Sequence, residues 1–293
     1  MKIPVPSALA GLRSGRSCVL HARARRHHWQ GVGLLSIKAF FGGSAHYDLG
    51  RGHCSVDDRS YLVLNDEQPY AVDIQASQPV ESLCVFFAKG FAEEVQRSLT
   101  LRTGRLLDQP VDAGTARVRF FERTYLHDRV VSPALLRLRS LAREWEADEA
   151  RLVEELHDVL QRLLRVHDLA RVESERLECL RPATREELYR RVWRARDYAA
   201  ASFHEPVTLA TLARVSCLSP NHLLRTFRQA FGQTPHQFLV QRRLEEAKRL
   251  LAVEGLPVTE VCLAVGFASL GSFSALFKRR FGVSPRCWAR SER

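Results

Sequence analysis

Phe227-Arg-Gln-Ala-Phe231-Gly232-Gln-Thr234-Pro235 returns fifty residues later as Phe277-Lys-Arg-Arg-Phe281-Gly282-Val-Ser284-Pro285. In each copy two Phe stand four apart and share one helix face. The Gly that follows suits a left-handed helix end, and Thr-Pro or Ser-Pro supplies an N-cap and first residue for the next helix. Upstream, Leu209, Leu212 and Ala213 are matched by Val258, Val261 and Cys262. Ser219-Pro220 opens a second helix through Leu223 to Phe227, and in the other copy Gly266-Phe267 precedes a helix through Phe273 and Phe277. The offset is 49 before the turn and 50 after it, so the second turn is one residue longer. A pair is not the array that a solenoid needs. Helix, short turn, helix is the helix-turn-helix unit, whose second helix enters a DNA major groove. Two ordinary helical hairpins in a bundle would show the same spacing.

Charge separates those readings. Residues 184–293 carry 18 Lys+Arg against 9 Asp+Glu, whereas residues 1–183 carry 26 against 24. A basic excess confined to the twin hairpins is the footprint of a phosphate-contacting surface. Arg225 and Arg228 follow one apolar helix face, and Lys278, Arg279, Arg280 and Arg286 follow the other. With 5 Lys against 39 Arg, overall composition sets which cation is used, but not the excess.

Ala264-Val265-Gly266-Phe267-Ala268-Ser269, followed by Phe273-Ser274, Phe277-Lys278, Phe281-Gly282 and Ser284-Pro285, resembles the signature of the AraC/XylS family of bacterial transcription regulators. Leu218-Ser219-Pro220, Leu223, Phe227, Gly232, Arg243-Leu244, Ala247 and Leu250-Leu251 fit the same register, so the resemblance covers about the last 110 residues. It implies a seven-helix DNA-binding domain, with two helix-turn-helix units joined by a long helix. The residues themselves supply that joining helix, opened at Pro235, decorated by Phe238, Arg242, Glu245, Glu246 and Arg249, and stopped at Gly255-Leu256-Pro257. About 16 residues make a rod of roughly 24 Å, which could hold two recognition helices near one turn of DNA apart, roughly 34 Å.

The two recognition helices, near 219–229 and 269–279, differ in content. The first is expected to present Asn221, His222, Arg225 and Arg228; Arg suits the acceptor pair of guanine, and Asn suits adenine. The second presents Gly271, Ser274 and Ala275, then Lys278 and Arg279. Family members often carry Arg where this chain has Ala275, so direct readout by the second unit is weakened while its cations still suit phosphates. Each of these positions could instead be a solvated surface residue.

Ahead of this domain the texture changes to short strands, expected over 32–41, 44–49, 61–64, 70–74 and 83–87, with turns at Gly42-Gly43 and Asn65 to Pro69. Such spacing fits an antiparallel barrel or sandwich. The stretch Tyr61-Leu-Val-Leu-Asn-Asp-Glu-Gln-Pro-Tyr70 resembles the cupin-type effector domain of many members of the same family. Cupins often hold a metal through clustered His. Here His46 and His53 lie seven apart with no His-x-His and no later His in the next strands, so no metal site is expected. Arg23 to Arg26 and His27-His28 read as a flexible arm.

Residues 134–180 read as amphipathic helix. Leu152, Leu156, Val159, Leu163 and Val166 form a short coiled-coil seam that could join two chains or pack on the barrel of its own. A polar linker is expected over 171–184, and Thr184 with Glu187 forms a candidate capping box. Seven scattered Cys with no CxxC argue against a zinc knot or a disulfide framework. No run of eighteen apolar residues and no signal peptide is visible, which predicts a cytoplasmic protein without a membrane span.

The expected fold class is therefore α+β. Residues 1–180 form an N-terminal antiparallel, cupin-like β-barrel with flanking helices, for effector sensing and dimerisation. Residues 184–293 form an all-α domain of two helix-turn-helix units joined by a long helix. The expected function is a sequence-specific, effector-responsive transcription regulator. Its partners would be double-stranded DNA, an unidentified small-molecule effector, RNA polymerase and a second copy as homodimer. No catalytic residue, cofactor or metal is expected. Rival classes are a cupin-type metal-dependent enzyme fused to a DNA-binding domain, an alkyl-transfer repair protein and an architectural DNA binder. The first wants a metal triad, the second a Cys cluster, and the third a chain made mostly of basic DNA-binding segment.

Overall fold

The computed structural model describes residues 16–50, 52–100, 117–143, 149–177, 181–253 and 256–291. The chain divides into two compact units, Met1–Glu175 and Arg176–Arg293.

In the first unit β1 (Cys18–Gly33), β2 (Ser36–Phe41), β3 (Ala45–Asp48), β4 (His53–Val56), β5 (Ser60–Leu64), β6 (Gln68–Phe86) and β7 (Thr124–Leu126) form one antiparallel sheet. Its order is β4-β3-β6-β2-β5-β7, with β1 along the other edge of β6. The long β6 pairs with β3 through its first half and with β2 through its last, curling the sheet into a nearly closed barrel. Alternation then sorts the side chains. Ile37 and Ala39 of β2, with Tyr61 and Val63 of β5, face a core shared with α1 (Phe91–Thr100), α2 (Ser132–Leu141) and α3 (Glu149–Ser174). Phe40, Leu62 and Leu64 face the other way, onto Tyr47, Val56, Tyr70 and Ile74 inside the barrel. Burial on both faces explains why β5 reads as an unbroken run of core residues.

Three expectations for this unit need correction, and one left open is decided. Arg23 to His28 are not a free arm but the middle of β1, whose Arg23, Ala24, Arg26 and His27 pair with Glu81, Val80, Gln75 and Ile74. The segments read as strands 70–74 and 83–87 belong to one strand. Between them residues 76–79 stand out of the ladder at a register shift, where Pro79 has no N–H to contribute. The strand expected over 32–41 is broken at Leu34–Leu35, where the chain passes from β1 to β2. Finally, the seam, left open between two readings, packs on its own unit. Leu156, Val159 and Leu163 are fully buried in the core of their own unit, with Leu152 and Val166 packed against it.

The second unit contains seven helices among the described residues: α4 (Pro182–Ala201), α5 (Leu209–Ser216), α6 (Pro220–Phe231), α7 (Pro235–Val253), α8 (Val258–Ala264), α9 (Leu270–Phe281) and α10 (Pro285–Ser291). Two small cores divide them. One gathers Val192 and Ala195 of α4, Leu212 and Ala213 of α5, and Leu223 and Phe227 of α6. The other gathers Leu244, Ala247 and Leu251 of α7, Val261 and Cys262 of α8, and Phe273 and Phe277 of α9. Helix α7 serves both, since its Phe238 packs on the first core. Its 19 residues make a rod of about 28 Å, one turn longer than read from the sequence. Gly255, expected to help stop it, lies outside the described residues. The capping box at Thr184 and Glu187 is not formed: α4 already starts at Pro182, and Glu187 accepts a 2.8 Å bond from Arg191 Nε. None of the described helices is long and apolar enough to cross a membrane.

Candidate nucleic-acid interface

Each helix-turn-helix is fixed by its caps. Thr208 opens α5, accepting from Thr211 N at 3.1 Å. Ser219 opens α6 and Ser269 opens α9, each accepting from the backbone N–H three residues on at 3.3 Å. Thr234 and Gln237 form a complete capping box on α7, with bonds of 3.2 and 2.9 Å. Gly232 and Gly282 close α6 and α9 in left-handed conformation, as the repeat implies.

The turns between paired helices are equivalent but differently made. Cys217 adopts φ 53° in the first, and Gly266, its partner at the 49-residue offset, adopts φ 88° in the second. A Cβ on Gly266 would stand 2.8 Å from the carbonyl oxygen of His204 and 3.0 Å from that of Phe203. Arg243 of α7 holds the same loop, donating to the carbonyls of Phe203 (2.7 Å) and Glu205 (2.8 Å). The second turn therefore rests on the loop between α4 and α5, locked by an arginine of the joining helix.

On α6 the steps of four and three residues put Asn221, Arg225 and Arg228 on one exposed face, opposite buried Leu223 and Phe227. His222 sits at the margin, half-buried, with its carbonyl accepting from Thr226 Oγ1 at 2.8 Å. The same face of α9, fifty residues on, shows exposed Gly271, Ala275 and Lys278, with Ser274 half-buried and Arg279 exposed beside it. Only the third position is cationic in both helices. Arg280 is drawn back to Glu245 of α7 at 3.4 Å, so the basic run read from the sequence offers two unengaged cations, Lys278 and Arg279. Exposed Leu224 and Leu270 stand beside these faces, and α10 adds exposed Arg286 and Arg290. Sequence reading groups Leu224 with Leu223 and Phe227 on the opposite face, a grouping its exposure corrects, and passes over Arg290. Both follow from helical spacing once the helix limits are known.

A second site lies inside the barrel. A cavity of about 450 Å³ is lined by Leu20, Trp29, Tyr70, Val72, Ile74 and Phe86 among others. Lys38, 2% exposed, lines it as well. Its Nζ stands 3.6 Å from the centre of the Phe86 ring and 5.6 Å from that of Tyr70. Cys84 is its cross-strand neighbour. Burial pushes the Lys38 ammonium down and the Cys84 thiol up from their ordinary values. The sequence carried the signal, one Lys in the apolar run Ile37-Lys-Ala-Phe-Phe41, but not the cavity it faces. His46 and His53 point to the outer face of β3 and β4, where His53 Nδ1 is 3.9 Å from Asp48. No group of three or more His, Cys, Asp or Glu among the described residues is placed to hold a metal ion.

Comparison with known proteins bears on the second unit. A family model described as a helix-turn-helix domain matches residues 212–291. The probable transcriptional regulator LumQ of Photobacterium leiognathi is 34% identical over 89 residues, 30% of this chain and 36% of that protein. This chain thus aligns with about a third of the length of that curated relative. The C-terminal domain of AraT, a response regulator from Geobacillus stearothermophilus, is 34% identical, with a TM-score of 0.33 over 34% of this chain and 84% of that one. A probable AraC family transcriptional regulator from Rhodopseudomonas palustris is 28% identical, with a TM-score of 0.34 over 35% of this chain and 97% of that one.

Proposed function

This chain belongs to the AraC/XylS family of DNA-binding transcription regulators, and from that premise we propose that it reads two adjacent major-groove segments unequally. The observation that carries this is the pairing of equivalent faces, Asn221, Arg225 and Arg228 on α6 against Gly271, Ala275 and Lys278 on α9. Arg225 takes guanine and Asn221 adenine in the half-site under α6. His222, at the helix margin, lies beside the backbone. Arg228, Lys278 and Arg279 hold phosphates, which add affinity without sequence preference. Gly271, Ser274 and Ala275 are too short to reach far into the groove, so α9 fits DNA by shape and charge.

The barrel is the effector site, its ligand altering DNA binding and thereby transcription by RNA polymerase in the cytoplasm. A homodimer on a double site suits this role, joined through a surface other than the buried seam. A randomised-site selection tests the unequal reading. Wild type should show sharp base preference in one half-site only, and Ala275→Arg should create a new preference, for guanine, in the other. Arg225→Ala should cost about 1–3 kcal/mol at one base position. Equal loss on random DNA would reduce Arg225 to a phosphate contact, and equally sharp half-sites in wild type would overturn the proposal.

A further inference from the structure

Resting on the reading of the barrel as the effector site, we infer that its ligand is an apolar monoanion, a carboxylic acid whose carboxylate sits on the Lys38 ammonium. The cavity is of a size for a small organic molecule. Its body is aliphatic and aromatic, and no Asp or Glu lines it. Among the described residues Lys38 has two aromatic rings for company and no carboxylate. An ammonium buried in that way is stabilised most by a partner of opposite charge, and a ligand can bring one.

Other ligand classes fit the lining less well. A cationic ligand would be repelled by Lys38. A sugar or polyol needs donors and acceptors in alternation. The polar side chains here, buried Lys38, Tyr47 and Tyr70 with Ser82 and the exposed His27, are mostly donors and suit an acceptor better than a set of hydroxyl donors. A dianion would find no second buried cation for its second charge. Burial keeps Cys84, Tyr47 and Tyr70 protonated, so none of them supplies the counter-charge from within. Trp29 closes one side and meets Tyr70 at 4.7 Å between ring centres, which makes its fluorescence a reporter of occupancy.

The test uses the full chain and two matched pairs of probes, decanoate with 1-decanol and 2-naphthoate with 2-naphthol, titrated at neutral pH and followed by tryptophan fluorescence and calorimetry. At least one acid should bind tenfold or more tighter than its alcohol. Lys38→Met, which keeps the side-chain volume, should abolish or reverse that preference, and Trp29→Phe should remove the fluorescence change while calorimetric binding persists. If Lys38→Met does not fold, the acid-to-alcohol ratio of wild type and of Lys38→Gln decides. Acid and alcohol binding equally would overturn the anionic class and leave the barrel as an effector site. Acid preference kept in Lys38→Met would place the charge recognition elsewhere and overturn the inference. Failure of all four probes to bind would overturn both the inference and the reading it rests on.

Discussion

An ammonium taken out of water loses several kcal/mol of hydration unless a partner restores it, and the rings beside Lys38 restore only part. Lys38 therefore lowers the stability of the unliganded fold, and replacing it with Met should raise stability by about 1–4 kcal/mol. The pH dependence has a definite sign. The folded Lys38 has a lowered proton affinity, so the unfolded chain binds more protons across the window between its folded value and about 10.5. The penalty is fully present below that window and fades as pH rises through it. The advantage of Lys38→Met in urea titrations should accordingly shrink as pH rises through that window into alkali. Tyr47 and Tyr70 also titrate in alkali but are common to both chains and cancel in the difference. The Lys38 charge, by contrast, lowers the Cys18 and Cys84 thiols, so in Lys38→Met they stand higher still and the variant loses further stability in alkali, in the same sense. Glu81 is the contrasting case. Arg139 and Arg143 hydrogen bond to both its carboxylate oxygens, with His21 and Arg23 alongside, and hold it well below the usual carboxylate range. A buried charge with partners is a fixture of the fold, whereas one without is kept for something that arrives.

At the scale of elements, what could be read from the chain was local. The Phe pairs, the Ser and Thr caps and the glycines closing α6 and α9 each act within a few residues, so the repeat disclosed them. The pairing of β1 with β6, roughly sixty residues away in its first half, leaves no such mark, and a strand bearing exposed Arg23, Arg26, His27 and His28 imitates a loop. Helix α3 was legible as a helix, but its apolar stripe does not say which surface covers it. Since its own barrel and helices do, Leu156→Ala should cost about 2–5 kcal/mol and leave the sedimentation of the folded fraction unchanged. A folded variant of smaller sedimentation coefficient would show the stripe joining two chains after all. The two turns make a matched experiment. Gly266→Ala, strained in φ and pressed on the His204 carbonyl, should lose about 2–4 kcal/mol. Cys217→Gly, relieving the same conformation where a Cβ is already tolerated, should gain up to about 1 kcal/mol. Thermal melts of the two variants would show opposite shifts.

For the whole molecule, charge is concentrated in the second unit but not all of it is available. Arg242, Arg249 and Arg280 are tied to Glu246 and Glu245, and Arg243 to backbone carbonyls. Arg225, Arg228, Lys278, Arg279, Arg286 and Arg290 remain on α6, α9 and α10. DNA affinity measured against salt should then fall with a log–log slope no steeper than about −5. Lys278→Ala should flatten it by about 1, and Arg249→Ala should leave it unaltered; a wild-type slope near zero would remove phosphate binding from the account. The joining helix α7, seated in both small cores, carries a consequence for the genome this protein serves. One residue inserted into such a rod swings whatever follows by about 100°, so the distance between the paired DNA segments cannot wander without losing one of them. Under the unequal reading proposed above, the letters under α9, facing glycine, serine and alanine, carry no such constraint. Across its promoters the spacing should be inherited faithfully, while half of the spelling drifts.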